Sequence, residues 1–246
     1  AEVIVTTTFT TRKLRLSDNN VEDKFEYLNK KAGEIAQQAK KLHPNVLVAG
    51  GLPPQYLTYE ADTRSDKEIL DDFSSQAEIL DPYVDFFYFD VLSSVREFKI
   101  GIESIKRFNK PYLIGAHISE GINLPSGEKI SEIITKIHHD KLLGIILSCI
   151  SPENYELNLN ELKNLKIPFG FKLNAFIKTN PKPNYTGAYK NSKSGNPNEF
   201  LGIRKDLTPT KMAEFAKKFK DSGATILGGC CETRPSHIEM FAKLKV

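Results

Sequence analysis

Short apolar runs recur along the chain at 3–7, 45–49, 86–89, 111–116, 143–148, 169–173 and 225–227. They are rich in Val, Ile, Leu and Phe and lack strict polar alternation, the pattern of strands covered on both faces. Longer stretches with helical spacing of apolar positions lie between them, at about 21–41, 65–80, 94–108, 127–139, 152–165 and 208–221, with a last one at 235–244. Several carry start signals: Ser65 with Glu68, Ser94 with Glu97, and Thr208 ahead of Pro209. Gly223 stands where a helix should stop before the last strand.

Seven βα units with continuous apolar strands predict a parallel sheet covered by helices, either a doubly wound open sheet or a (β/α)₈ TIM barrel. Two features favour the barrel. No GxGxxG or P-loop segment follows any strand. The chemically unusual residues also cluster just after strands, where barrels keep their active sites. The chain therefore reads as one domain over 1–246, a barrel that lacks its first βα unit. Unpaired edges left by a missing strand favour association, here into a homo-oligomer. Three readings of the missing unit remain: an N-terminally incomplete piece of a longer protein, a genuine seven-unit sheet, or an eighth strand supplied by a segment that the pattern does not reveal. Segment 175–207 is long, polar and irregular, which suits a lid or binding loop as well as an insertion.

Composition narrows the class. Hydrophobic content of 40% and charged content of 26% are ordinary for a globular domain. The net charge of +3, from 34 basic and 31 acidic residues scattered along the chain, argues against nucleic acid or an acidic membrane surface as partner. No apolar stretch reaches the ~18 residues of a membrane span, and no secretory leader pattern is visible. An odd cysteine count without a disulfide framework favours a reducing, cytoplasmic setting.

The three cysteines carry the sharpest signal. Cys149 ends the run 143–148, and Cys230 and Cys231 follow the last one. On a barrel both strand ends reach the same rim. Three thiolates can hold a zinc ion and leave its fourth tetrahedral position open for an incoming thiol. Adjacent residues of a regular strand face opposite ways, so Cys230 and Cys231 can share one metal only where the backbone turns; Gly228-Gly229 are expected to relieve that turn. The competing readings are buried cysteines that merely pack, and a strained vicinal disulfide.

Gly228-Gly-Cys-Cys-Glu-Thr-Arg-Pro-Ser-His-Ile resembles the GGCC segment of the homocysteine S-methyltransferase family, and Ser148-Cys-Ile-Ser-Pro-Glu resembles its upstream cysteine motif. Val5-Thr-Thr-Thr-Phe is similar to the family's second strand and Val48-Ala-Gly-Gly-Leu-Pro-Pro to its third. Phe87-Tyr-Phe-Asp-Val-Leu-Ser-Ser resembles the fourth, Leu124-Pro-Ser-Gly-Glu the fifth loop, and Leu173-Asn-Ala the seventh strand end. The family's first strand, with its Asp-Gly-Gly-type motif, has no counterpart here. The resemblance implies a zinc-dependent transfer of a methyl group to homocysteine, giving methionine, with Cys149, Cys230 and Cys231 as metal ligands. It also implies Asp90, where the family usually has Glu, as the carboxylate for the substrate ammonium, with Asn174 and Thr8 near the substrate. Thr7 stands where the family often has Asn.

Donors implied by the family are S-methylmethionine, betaine and related onium compounds, and methylfolate. A cationic donor would prefer aromatic faces, for which Phe9, Tyr56, Phe176, Tyr185 and Tyr189 are candidates. His117, after a strand, is a further candidate; His138-His139 is read as closing a helix and His237 as part of the last one. The rival readings are a degenerate homologue that binds zinc or a thiol without turnover, and a barrel enzyme of another class with unmetallated cysteines.

Overall fold

A computed structural model describes residues 1–138, 140–177 and 201–244. Seven parallel strands pair in sequential order: β1 (Val3–Val5), β2 (Leu47–Leu52), β3 (Phe86–Leu92), β4 (Tyr112–Ala116), β5 (Leu142–Ile150), β6 (Phe169–Leu173) and β7 (Ile226–Gly229). This is the order of a (β/α)₈ barrel, seven of whose strands lie among the described residues. The helices are α1 (Lys13–Ser17), α2 (Phe25–Leu42), α3 (Asp66–Leu80), α4 (Val95–Ile105), α5 (Ile130–Lys136), α6 (Pro152–Asn164), α7 (Pro209–Asp221) and α8 (Pro235–Ala242). None of the described helices is long and apolar enough to cross a membrane.

The predicted caps form. Ser65 accepts from the Glu68 amide at 3.3 Å while the Glu68 carboxylate accepts from the Ser65 amide at 3.0 Å. Ser94 and Thr208 accept from Glu97 and Lys211 in the same way. Gly223, at φ 109°, ends the segment before β7 in the left-handed region that other residues avoid.

Two helices differ from expectation. The short α1 was not predicted. Helix α5 is shorter than 127–139, because Gly127 sits at φ 94° and an Asn123–Lys129 bridge holds the preceding residues as a turn. His138 therefore lies beyond the helix rather than closing it, and its carbonyl accepts from the Tyr112 hydroxyl; His139 lies outside the described residues.

Alternation along the strands sorts the interior into three levels. Val48, Phe87, Phe89, Ile114, Leu147 and Phe171 face the helices and pack with Phe73, Phe98, Tyr155 and Phe219. Ala49, Phe86, Tyr88, Leu113 and Ile146 face inward as a second cluster. A third, at the C-terminal rim, gathers Tyr59, Val91, Cys149 and Phe176 with Phe9, Cys230 and Cys231. Central strands β3 and β4 are wholly buried, whereas β1 and β7 at the sheet edges are not.

The β6–β7 contact that carries the cysteine pair to the rim depends on Gly170. A Cβ there would lie 1.8 Å from the Ile226 carbonyl oxygen, which belongs to the backbone and cannot swing aside. Gly170→Ala is expected to destabilise the fold by about 3 kcal/mol, checked by denaturant unfolding; a loss too small to resolve would contradict this packing.

Candidate metal and thiol site

The three sulfurs converge on the rim. Cys149 Sγ lies 3.8 Å from Cys231 Sγ across 82 positions of sequence, and Cys230 Sγ lies 3.9 Å from Cys231 Sγ. All three fall within 4.8 Å of one another. Two thiolates on a tetrahedral zinc, each at ~2.3 Å from the metal, stand about 3.8 Å apart. The donor set and its spacing therefore fit zinc.

Local backbone aims each sulfur. Cys149 occupies the left-handed region at φ 57°, at a register shift between Ser148 and Ile150 in the β5–β6 ladder. Such a bulge re-aims one side chain without ending the strand. The same device recurs in β3, where Val91 has φ 69° at a register shift against β4. A β-branched residue is costly there, and the strain is localised beside the site. Gly228 and Gly229 remain in β7 without left-handed backbone, and a Cβ at Gly229 would lie 2.5 Å from Thr233 Oγ1 in the turn that follows the cysteines. The Cys230 amide donates to the Leu173 carbonyl at 2.6 Å and the Cys231 carbonyl accepts from the Ala175 amide at 3.1 Å. The chain then turns at Glu232, φ 61°, so that both thiols face Cys149.

The thiols cannot all ionise unaided. Cys149 is drawn well below the ordinary thiol range, first by hydrogen bonds from Cys230 and Cys231 and then by Tyr59 and Asn174, against the opposing cost of burial. Its role as acceptor pushes Cys230 up to about 12, and Cys231 higher still, because their protons are held in those bonds and a second charge would face the first. A divalent cation removes that conflict, so metal binding here is coupled to proton release.

Sequence reasoning missed Tyr59. Its hydroxyl lies 2.9 Å from Cys149 Sγ, and its ring stacks on that of His117 with centroids 4.4 Å apart. Tyr59 has φ 69° in a loop following β2, which no periodicity or motif reports. Asn174 Nδ2 lies 3.6 Å from Cys149 Sγ, while its Oδ1 accepts from the Phe176 amide. His117 is fully buried: Nδ1 donates to the Ser148 carbonyl at 3.2 Å, so Nε2 accepts from Ser119 at 2.7 Å. Burial holds its pKa down at about 4.

Asp90 points into the barrel below the sulfurs. Its Oδ1 accepts from Tyr88 at 2.8 Å and its Oδ2 pairs with Lys172 at 2.5 Å, another residue the sequence did not flag. Tyr88 also reaches Ser148 at 2.5 Å. Thr8 is fully buried just after β1, donating to the Gly51 carbonyl at 2.6 Å. Among the aromatic candidates, Phe9 and Phe176 join the cysteine cluster, while Tyr56 lies under the Arg64 guanidinium. Tyr185 and Tyr189 lie outside the described residues. His237 is structural, bonded to the Arg234 amide and the Leu207 carbonyl.

Two outcomes are expected. Because His117 binds its proton less readily folded than unfolded, stability should rise with pH from about 4 to its ordinary range near 6.5 and then level. His117→Gln should flatten that acid limb by about 3 kcal/mol relative to the parent protein, measured by unfolding at several pH values; an unchanged limb would contradict the assignment. Tyr59→Phe should weaken zinc binding by about tenfold, the scale of outer partners of a metal ligand, in a chelator competition; unchanged affinity would remove Tyr59 from the site.

Comparison with known proteins bears on the fold and the family. The structure is similar to the homocysteine methyltransferase MmuM from Escherichia coli in its metallated form, with TM-score 0.73 and 18% identity over 99% of this chain and 79% of that one. It is equally similar to the apo form, with TM-score 0.71 and 18% identity over 100% and 80%. At that identity the likeness speaks for the fold. The model of the homocysteine S-methyltransferase family matches residues 1–244. With the paired and distant cysteines on one barrel rim, this chain belongs to the homocysteine S-methyltransferase family.

Proposed function

We propose that this methyltransferase holds Zn²⁺ on Cys149, Cys230 and Cys231 and transfers a methyl group from a small onium donor, such as S-methylmethionine or betaine, to the thiol of homocysteine, giving methionine. The observation that carries this reading is the convergence of three sulfurs at tetrahedral spacing on the rim of the family's barrel. When bound, zinc supplies Lewis acidity that favours the thiolate form of a thiol at its remaining position.

The chain's own residues do the rest. Tyr59 and Asn174 hold the Cys149 sulfur in place through two hydrogen bonds. The homocysteine sulfur attacks the donor methyl carbon; as that S–C bond forms, the donor's own bond to the methyl breaks and its electron pair stays on the departing sulfur or nitrogen. The thiol proton is lost to solvent. Much of the rate comes from holding the two reactants in line. A cleft of about 300 Å³ beside the site is bordered by Glu120, Glu153 and Phe176, and Phe176 also belongs to the cysteine cluster. Phe176 offers the aromatic face that a cationic donor prefers, while Glu153 on the same cleft is paired with the Arg204 guanidinium at 2.7 Å. Asp90 and Asn174 are the side chains assigned here to homocysteine. Thr8, whose hydroxyl is engaged with Gly51, serves it only through the backbone of β1 and β2.

Any single Cys→Ser change is expected to reduce zinc affinity more than about 100-fold, since outer partners alone are worth 10–100-fold, and to abolish methionine formation. Metal analysis and a donor screen with homocysteine check this. Retained zinc in all three variants would overturn the ligand set, and zinc and homocysteine uptake without methionine would identify a binding protein instead.

A further inference from the structure

We propose that Arg12 is a positioning residue for the metal centre: its guanidinium clasps the two rim loops that carry Phe9 and Tyr59, and so fixes the Tyr59 hydroxyl on Cys149. Arg12 has this role only if the cysteine triad is the metal site proposed for it, and it acts there through Tyr59.

Helix α1 does not account for an arginine at this place. Arg12 stands at the N-cap of α1, a position that favours Ser, Thr, Asp or Asn, yet its side chain makes no capping bond. The residue is instead buried, with 1% of its surface exposed. Burying a guanidinium is costly unless its donors are met, and the rim loops meet them. Nη1 donates to the Phe9 carbonyl at 2.8 Å, three residues back, and the guanidinium lies 5.2 Å from the centroid of the Phe9 ring. Nη2 donates to the Thr58 hydroxyl at 2.9 Å, across 46 positions of sequence. The planar fork of arginine aims both bonds from one rigid group, whereas a lysine ammonium is a point charge on a flexible stem. One side chain thus ties residues 6–12, after β1, to residues 53–65, after β2. Each of these loops sends one aromatic residue, Phe9 or Tyr59, into the cysteine cluster.

The segment that Arg12 grips is the strained one. Tyr59 has φ 69°, and a bulky residue keeps left-handed backbone only where its surroundings over-determine it. Three contacts contribute to that: the Thr58 hydroxyl held by Arg12, the Tyr59 ring against His117, and the Tyr59 hydroxyl on Cys149 Sγ. Thr58 and Tyr59 are both buried. The ends of the same loop have clasps of their own. Gln55 donates to the Pro53 carbonyl at 2.8 Å and to Gln76 Oε1 at 3.0 Å. Arg96 donates to the Asp62 carbonyl at 2.9 Å and to the Arg64 carbonyl at 2.6 Å. Arg12 takes the middle, one residue from the tyrosine. Released from it, residues 58–59 relax out of the strained conformation and the Tyr59 hydroxyl leaves Cys149. The sulfur then loses one of the partners that hold it in place for a metal.

Chelator competition for zinc on the whole chain tests this without a methyl donor. R12M should weaken zinc binding by about tenfold, the loss expected of Y59F. The R12M/Y59F protein should lie within about twofold of Y59F alone, because no tyrosine hydroxyl is left for Arg12 to place. R12K, which keeps the charge without the fork, should bind zinc as weakly as R12M. Where R12M does not fold, T58V removes the accepting hydroxyl at nearly constant volume and should match it, singly and in the T58V/Y59F pair. A double variant about tenfold weaker than Y59F overturns the proposal, since independent effects add. So does an R12M or T58V protein within about twofold of the parent, or full recovery in R12K. In each of those cases zinc still sits on the three cysteines and the metal reading stands. A parent protein whose zinc is indifferent to all three cysteines removes the metal reading, and this inference with it.

Discussion

Three sulfur atoms that would repel one another as thiolates are held together at one rim of a parallel sheet, and the surrounding structure is organised around that conflict. Cys149 is given four hydrogen-bond donors, while Cys230 and Cys231 keep their protons to supply two of them. The arrangement is poised for a divalent cation, which would satisfy all three at once. The barrel makes this possible because parallel strands end side by side, so residues far apart in sequence arrive at adjacent positions. Backbone strain is spent in the same place, at Val91, Cys149 and Glu232, each in the left-handed region.

Beneath the sulfurs lies a second polar level. Asp90, Lys172, Tyr88 and Ser148 form a connected set facing the barrel interior, and burial raises Asp90 while Lys172 is kept charged by its partner despite burial. A carboxylate in this position would face the triad's negative charge; the lysine offsets it. The Asp90 carboxylate is thus met by a cation from β6 rather than left unpaired.

Above the sulfurs the setting is apolar and aromatic, with Phe9, Phe176 and Tyr59 against the cysteines. The site therefore grades from a charged floor through a metal-binding middle to an aromatic rim.

What the sequence by itself determined is the alternation of apolar strands with capped helices, and hence the parallel barrel, together with the three cysteines. Those features are local: Ser65 caps through Glu68 three residues on, and Cys149, Cys230 and Cys231 announce themselves by type and by their place at strand ends. The shortened α5 was illegible because a turn at Gly127 overrode the helical spacing. Tyr59 and Lys172 were illegible for a different reason. A tyrosine in a loop and a lysine within an apolar strand gain meaning only from partners 90 and 82 positions away. Only the tertiary structure decided those pairings, since the direction in which a side chain crosses a barrel depends on strand register and on bulges such as the one at Cys149, and neither is written in any short stretch of chain.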